Sequence, residues 1–381
     1  YFSAPQGRLG KPVKQLISFE KTKLLNPGEN QVLSFEFDEK DMASYDDSNI
    51  TGNKSCYVLE EGDYRIYVGT SVKKVELALT FSIPQLKVVQ RLSEVLCPND
   101  DELKILTTGN QKEDGTYETK YIPSQKPTVN LGERIQANLP EPLTTTIEQP
   151  LTFEDVQQNK ELLKDFVAQM PIDELAQLVR GEMIRKAAGC FGGLSKSLKE
   201  KKVPRVICAD GPNGIHMNGP PTVQIPIATS IAASFNKDAA MEAYRMIGKE
   251  MRRNDIHLLL APGVNIHRSL LNGRNFEYFS EDPYLTGVMA TYTSKGLRGC
   301  GVASTVKHFA LNSQETERRS VNSVCSERAI QEIYIKAFEM SVKSGYVISI
   351  MTSYNPINGH WAASNYDLNT TILRGEWNYQ G

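Results

Sequence analysis

No apolar run in this sequence is long enough to cross a bilayer as a helix. Cysteine pairs are missing as well. The six cysteines, at 56, 97, 190, 208, 300 and 325, form no Cys-x-x-Cys motif and fall at no zinc-ligand spacing. They are expected to be reduced structural thiols in a cytosolic protein. Histidine is scarce, with five in 381 residues, and no metal or other cofactor is expected. The chain has no Gly-x-Gly-x-x-Gly, no Gly-x-x-x-x-Gly-Lys-Ser/Thr, no His-Glu-x-x-His and no Gly-x-Ser-x-Gly. Dinucleotide, P-loop, zinc-protease and serine-hydrolase chemistry therefore have no foothold. An excess of one charge is also absent: 43 basic and 45 acidic residues leave a net −2. That balance points to neither a nucleic acid nor a membrane surface as partner. The opening Tyr1-Phe2-Ser3-Ala4-Pro5 has no initiator Met, basic region or apolar core of a signal peptide. A cytoplasmic location is expected, with a processed or truncated chain left open and secretion not ruled out. The sequons at Asn49, Asn53 and Asn369 carry no weight without a secretion signal.

What is present is an ordinary globular composition, 40% hydrophobic and 23% charged, enough to bury a core. Its length suggests more than one domain. Residues 1–92 read as β-rich. Val32 to Phe37, Tyr64 to Val68 and Val75 to Ile83 alternate apolar and polar, as half-buried strands do. Pro27-Gly28 and Glu61-Gly62-Asp63 supply turn signals before the first two. A small antiparallel sandwich is expected. Residues 93–150 are broken by Pro98, Pro123, Pro127, Pro140 and Pro142 and read as a connector packed on the surface, without regular elements.

From 151 to 381 the pattern changes. Leu151 to Glu154 reads as a helix start, and Leu162, Leu163, Phe166, Val167 and Met170 recur at helical spacing. Short apolar strands follow at Val206–Ala209, Leu258–Ala261, Ala303–Val306 and Ile348–Met351. Amphipathic stretches at Lys237–Arg253, Pro283–Arg298 and Ser326–Ser344 separate the last of these. Strand–helix alternation of this kind argues for a parallel sheet, closed into a barrel or open and doubly wound. Polar clusters sit at the strand ends, where α/β folds build their sites. Asp210 ends one strand and can accept from hydroxyls, although an Asp before Gly is also a plain turn former. Arg274 offers a rigid fork of donors that Glu277 can hold as an ion pair. Lys307 and His308 follow the next strand and can share one ligand only if the backbone turns there. Arg318 lies ten residues past His308, and Tyr354 closes the following strand; a buried Tyr hydroxyl needs a partner, and a ligand is one option.

Taken together, these segments resemble glycoside hydrolase family 3. The resemblance runs in order through Gly189-Cys190-Phe191-Gly192-Gly193, Ala209-Asp210-Gly211-Pro212, Leu260-Ala261-Pro262-Gly263-Val264-Asn265, Gly273-Arg274-Asn275-Phe276-Glu277-Tyr278-Phe279-Ser280-Glu281-Asp282-Pro283, Lys307-His308-Phe309-Ala310-Leu311-Asn312, Ser326-Glu327-Arg328-Ala329 and Met351-Thr352-Ser353-Tyr354-Asn355, ending at Ile372 to Trp377. The N-terminal part is similar to the family's fibronectin type III-like domain. Its place before the barrel resembles the permuted subgroup. The resemblance implies a β-sandwich followed by a (β/α)8 TIM-like barrel, incomplete at its C-terminus. It implies a retaining, exo-acting β-glucosidase acting on terminal β-D-glucosyl residues of glucosides or oligosaccharides. Asp210, Arg274, Lys307, His308, Arg318 and Tyr354 would then form the nonreducing-end sugar pocket.

The family's nucleophilic Asp, in a Ser/Thr-Asp-Trp motif, would fall just after Gly381, and the acid/base Glu of the permuted subgroup before Tyr1. Glu315, Glu327 and Glu376 occupy non-catalytic positions of the matched motifs. No catalytic carboxylate is thus expected within the chain, which alone would be inert. Its missing segments, or a second chain, would be its partners, and a homo-oligomer is open. The other readings are a non-catalytic sugar-binding or scaffold derivative and β-xylosidase specificity. A β-N-acetylglucosaminidase is disfavoured, because Lys307-His308-Phe309 runs into Ala310-Leu311-Asn312. A barrel cut before its later strands is expected to leave exposed apolar edges.

Overall fold

The computed structural model describes residues 1–114 and 116–381. The N-terminal part is two three-stranded antiparallel sheets. One joins β1 (Phe2–Ser3), β4 (Gly62–Ser71) and β5 (Lys74–Ile83); the other joins β2 (Ser44–Asp46), β3 (Cys56–Leu59) and β6 (Lys87–Arg91). Phe2, Ile17, Met42, Leu59, Tyr64 and Ile66 fill the space between them, as alternation at Tyr64 to Val68 requires. The strands read at 64–68 and 75–83 are present within β4 and β5.

The strand expected at 32–37 is not. Val32 is 88% exposed and Phe35 and Phe37 remain partly in solvent. With no buried face to hold it in register, the alternating segment joins no ladder. The connector is also more ordered than its prolines suggested. It contains a hairpin, β7 (Lys104–Gln111) with β8 (Tyr117–Pro123), and a short helix at Leu131–Ala137. The prolines flank these elements or close β8, so they break nothing inside a ladder.

The C-terminal part is built on five strands in the order β13 (Ser349–Thr352), β12 (Ala303–Phe309), β11 (Leu258–Leu260), β10 (Arg205–Asp210) and β9 (Gly189–Gly192). The four strands read from apolar runs are parallel to one another, and β9 pairs antiparallel with β10. Of the expected (β/α)8 barrel, incomplete at its C-terminus, these strands form an open sheet. β9 and β13 are open edges, so the sheet is a partial, mixed arc. Helices Lys237–Arg253 and Pro283–Arg298 form the crossovers β10–β11 and β11–β12, with the boundaries their periodicity predicts. Asn236 caps the first through Ala239 N–H, and Asp282 caps the second, which carries Pro283 at its first turn. The third crossover, read as one helix over 326–344, is interrupted by a π-turn at Ile330–Tyr334. Ile207, Leu259, Val306, Ile247, Met289 and Phe338 pack between sheet and helices in one core.

The two parts meet along a polar seam. Arg328 Nη1 and Nη2 donate to Leu9 O (2.7 Å) and Gly10 O (2.9 Å), and its Nε donates to Glu332 Oε1 (2.9 Å). Tyr45 Oη and Val95 N–H both donate to Glu327 Oε1, each at 2.8 Å. All six cysteines are unpaired thiols. Among the described residues, no helix is long and apolar enough to cross a membrane.

Candidate functional site

Parallel pairing of β10, β11 and β12 brings their C-terminal ends together, and the polar side chains at those ends converge. Asp210 is the last residue of β10. The chain can turn sharply after it because Gly211 takes φ 137°, where a Cβ would lie 1.8 Å from Gly214 O. The Asp210 Oδ1 accepts from Gly211 N–H (3.0 Å) and from Lys307 Nζ (2.8 Å). Burial pushes the Asp210 carboxyl up, but the Lys307 ammonium outweighs it, and the group titrates below the ordinary Asp value.

Lys307 and His308 reach one place because β12 bulges between them. Lys307 faces Met351 and Phe309 faces Thr352, so three residues of β12 span two of β13. Both side chains are almost wholly buried. Lys307 Nζ also lies 3.5 Å from Glu277 Oε2. Glu277 in turn forms an ion pair with Arg274 Nε, the role its spacing suggested. The segment 274–278 is pinned by Thr229, whose hydroxyl donates to Asn275 O (2.8 Å) and Tyr278 O (3.1 Å). Close approach of Tyr278 to β11 depends on Gly263, where a Cβ would stand 2.8 Å from the Tyr278 ring. Arg274 Nη1 is buried with no hydrogen-bond partner among the described residues, a donor left for a ligand.

The backbone N–H and C=O of His308 make a two-way bond with the Asn265 amide, at 2.9 Å each. The ring is held neutral. Burial, then the cations Arg274, Lys307 and Arg318, push its pKa down to about 2. Arg318 is tied to Glu315 Oε2 at 2.6 Å, and its guanidinium stacks 4.9 Å from the Tyr354 ring centroid. The Tyr354 ring lies 6.2 Å from that of His308 and is 42% exposed, so it forms a wet rim, not a buried hydroxyl.

All six expected residues therefore gather at one end of the sheet. Four further residues complete the arrangement and were not singled out from the sequence as site residues: Asn265, Tyr278, Asn312 and Glu315. Asn265, Tyr278 and Asn312 stand inside quoted motifs, and Glu315 was named as a non-catalytic position, which were the available signals. A separate groove of about 790 Å³ lies between hairpin β7–β8, Leu9 and the 313–326 loop, and none of the six lines it. Among the described residues, no cluster of His, Cys, Asp or Glu is arranged to hold a metal. Chemically, the site is a set of fixed donors and acceptors, three cations among them, around a neutral imidazole. It suits a neutral polyhydroxylated ligand, whose vicinal hydroxyls both give and accept hydrogen bonds.

Comparison with known proteins identifies the family. Residues 156–381 match the profile described as glycosyl hydrolase family 3 N terminal domain. Residues 1–72 match the fibronectin type III-like domain. A beta-glucosidase of Ruminococcus albus is 42% identical over all of this chain and 40% of its own length. Beta-glucosidase A of Butyrivibrio fibrisolvens is 37% identical, again over all of this chain and 48% of its own. The chain thus spans less than half of these curated relatives. The crystal structure of a beta-glucosidase from Paenibacillus barengoltzii superposes with a TM-score of 0.96 at 49% identity, covering 100% of this chain and 42% of that one. Beta-glucosidase 3B from Thermotoga neapolitana, in complex with glucose, gives 0.54 at 35% identity over 57% of this chain and 32% of its own.

Proposed function

Since the chain belongs to glycoside hydrolase family 3, we propose that its β-strand ends form the glucose-holding pocket of a retaining, exo-acting β-glucosidase. Asp210, Arg274, Lys307 and His308 bind hydroxyls of the terminal β-D-glucosyl residue. Arg318 and Tyr354 shape the rim of the pocket. The observation that carries this reading is the chain of ion pairs from Asp210 through the buried Lys307 and Glu277 to Arg274, open to solvent at its Asp210 end and beside a neutral His308. Such a chain orients donors and acceptors without leaving a mobile charge in the pocket.

Retention needs two carboxyl groups, one as nucleophile and one as acid/base. The carboxylates of this site are all engaged by cations: Asp210 by Lys307, Glu277 by Arg274 and Lys307, Glu315 by Arg318. We therefore place both reacting carboxyls outside residues 1–381, and residues 1–381 alone would not hydrolyse a glucoside. On the same reading the open sheet is the first part of a (β/α)8 barrel, and the chain divides into a sandwich (1–92), a connector carrying hairpin β7–β8 (93–150) and the barrel portion (151–381). The match of all of this chain to part of a longer beta-glucosidase chain supports this. Six unpaired thiols support a reducing, cytoplasmic setting.

The test is Asp210→Ala in the gene's full product. Hydrolysis of an aryl β-glucoside should lose at least about tenfold in kcat/KM, roughly 1.4 kcal/mol of transition-state binding. An unchanged kcat/KM would remove Asp210 from the pocket and the reading with it.

A further inference from the structure

The His308 ring is buried with two oxygens facing its Nδ1: Tyr278 Oη at 3.0 Å and Asn265 Oδ1 at 3.4 Å. Which of them sets the ring's proton decides what the other face of the imidazole offers. Asn265 is already committed. Its Oδ1 accepts the His308 backbone N–H and its Nδ2 donates to the His308 carbonyl, which fixes the orientation of that amide. Tyr278 Oη, in contrast, accepts from Asn312 Nδ2 at 3.2 Å. The Tyr278 side chain is fully buried, and among the described residues its hydroxyl proton meets no acceptor other than the His308 ring nitrogen. A buried hydroxyl left without an acceptor loses its hydration with nothing in return. With the Asn312 amide nitrogen toward Tyr278, the pattern that satisfies every group runs from Asn312 N–H to Tyr278 Oη and from Tyr278 O–H to His308 Nδ1.

We propose that Tyr278 is a positioning residue for His308: its hydroxyl donates to Nδ1, holds the ring as the Nε2–H tautomer, and thereby turns the imidazole into a hydrogen-bond donor toward a hydroxyl of the bound glucosyl residue. The last step rests on the sugar-pocket reading above; the first two do not. The tautomer matters because a neutral imidazole gives on one nitrogen and accepts on the other. With Nδ1–H instead, the face toward the pocket would be a lone pair. The ring would then compete with Asp210 for hydroxyl protons in place of complementing it.

The test uses the gene's full product with 15N-labelled histidine, and His308→Gln to assign its signals. Long-range proton–nitrogen spectra of the ligand-free protein should show the His308 proton on Nε2. Tyr278→Phe keeps the ring and removes only the donor. It should shift the proton to Nδ1, where Asn265 Oδ1 can receive it, or mix the two tautomers. The same variant should lose about tenfold in kcat/KM on an aryl β-glucoside, a typical loss for one missing donor. That loss should disappear on one member of a set of monodeoxy glucosides, the one lacking the hydroxyl that His308 contacts.

A wild-type Nδ1–H, or a tautomer indifferent to Tyr278→Phe, overturns the positioning role. A tautomer that shifts as expected, with the loss present on every deoxy substrate, overturns delivery of the proton to sugar and counts against the pocket reading alone. If Tyr278→Phe does not fold, Asn312→Ala serves in its place. It removes the donor to Oη, frees Tyr278 to accept, and should raise the Nδ1–H population. Retention of pure Nε2–H in that variant would overturn the relay.

Discussion

Two carboxyl groups, the partly exposed Asp210 at the strand ends and the buried Glu327 at the seam with the sandwich, are driven in opposite directions. Burial raises both. At Asp210 the Lys307 ammonium, 2.8 Å away, more than cancels that push and holds the carboxylate charged. At Glu327 the donors are a Tyr45 hydroxyl and a Val95 amide, both on one oxygen, while Asp47 and Glu94 add negative charge nearby. Its pKa rises to about 8, and the group is largely protonated at neutral pH. The pocket spends cations to keep its acceptors ionised and aimed. The seam has no cation on Glu327 and holds it as a neutral hydrogen-bonding acid. On the proposed reading, the contrast separates a surface that recognises hydroxyls from one that joins two domains, though both are polar.

The comparison breaks most directly at Lys307. Its ammonium is buried against Asp210 and Glu277, and Glu277 keeps Arg274 if it is removed. Lys307→Met in the gene's full product is expected to lower unfolding free energy by about 3 kcal/mol, the low end for a broken buried pair, because the buried Glu277 loses one of its two cations while Asp210 is partly open to water. Denaturant titration at pH 7 measures it. A change below about 1 kcal/mol would mean that Arg274 alone holds Glu277 and that Lys307 adds only a wet surface pair to Asp210.

The next test reads the sign of the pH dependence. Glu327 has its folded pKa raised to about 8 from an unfolded value of 4.5. Its contribution to stability is therefore complete below about pH 4.5 and is lost as pH rises through 8. His308 is depressed from 6.5 to about 2, so its contribution is present above 6.5 and is lost as pH falls toward 2. Glu327→Gln keeps the Oε1 acceptor and removes the titration. It should flatten the alkaline loss, on the order of 3 kcal/mol between pH 5 and 8, and leave the acid side unchanged. Parallel stability profiles for wild type and Glu327→Gln would show that the seam is hydrated and that the two carboxyls do not differ in kind.

How far the sequence anticipated these regions follows from what each depends on. Apolar runs marked β10 to β13 and the two long crossovers because buried parallel strands and amphipathic helices write their surroundings into a local period. Hairpin β7–β8 was missed because Leu106, Tyr117 and Tyr121 lie on exposed strands among Lys, Thr and Glu, with no core side to mark. Segment 32–37 carried the alternation without a partner. In the site, Arg274 and Glu277 were readable as a pair because they sit one turn apart. The Asp210–Lys307 bond joins residues 97 apart and exists only through strand pairing, which no local pattern reveals. Asn265, Tyr278 and Asn312 escaped for the same reason. Their function is to fix another side chain, so their own residue types announce nothing.

The smallest expected effect sharpens the contrast between two arginines. Arg318 in the pocket is a third exposed, makes a 2.6 Å bond to Glu315 and stacks on Tyr354, with Arg319 also near that ring at 5.9 Å. Arg328 at the seam uses all three nitrogens, on Leu9 O, Gly10 O and Glu332. Lysine can replace a charge but not a planar fork. Arg318→Lys should therefore weaken the stack by about 0.5–1 kcal/mol, seen as a two- to fivefold rise in KM for an aryl β-glucoside with little change in Tm. Arg328→Lys should do the reverse, lowering Tm and leaving KM nearly untouched, since the lost bonds join the domains and never face the sugar. If Arg318→Lys lowered Tm as much as Arg328→Lys did, the arginine on Tyr354 would be holding the fold and not the rim of the pocket.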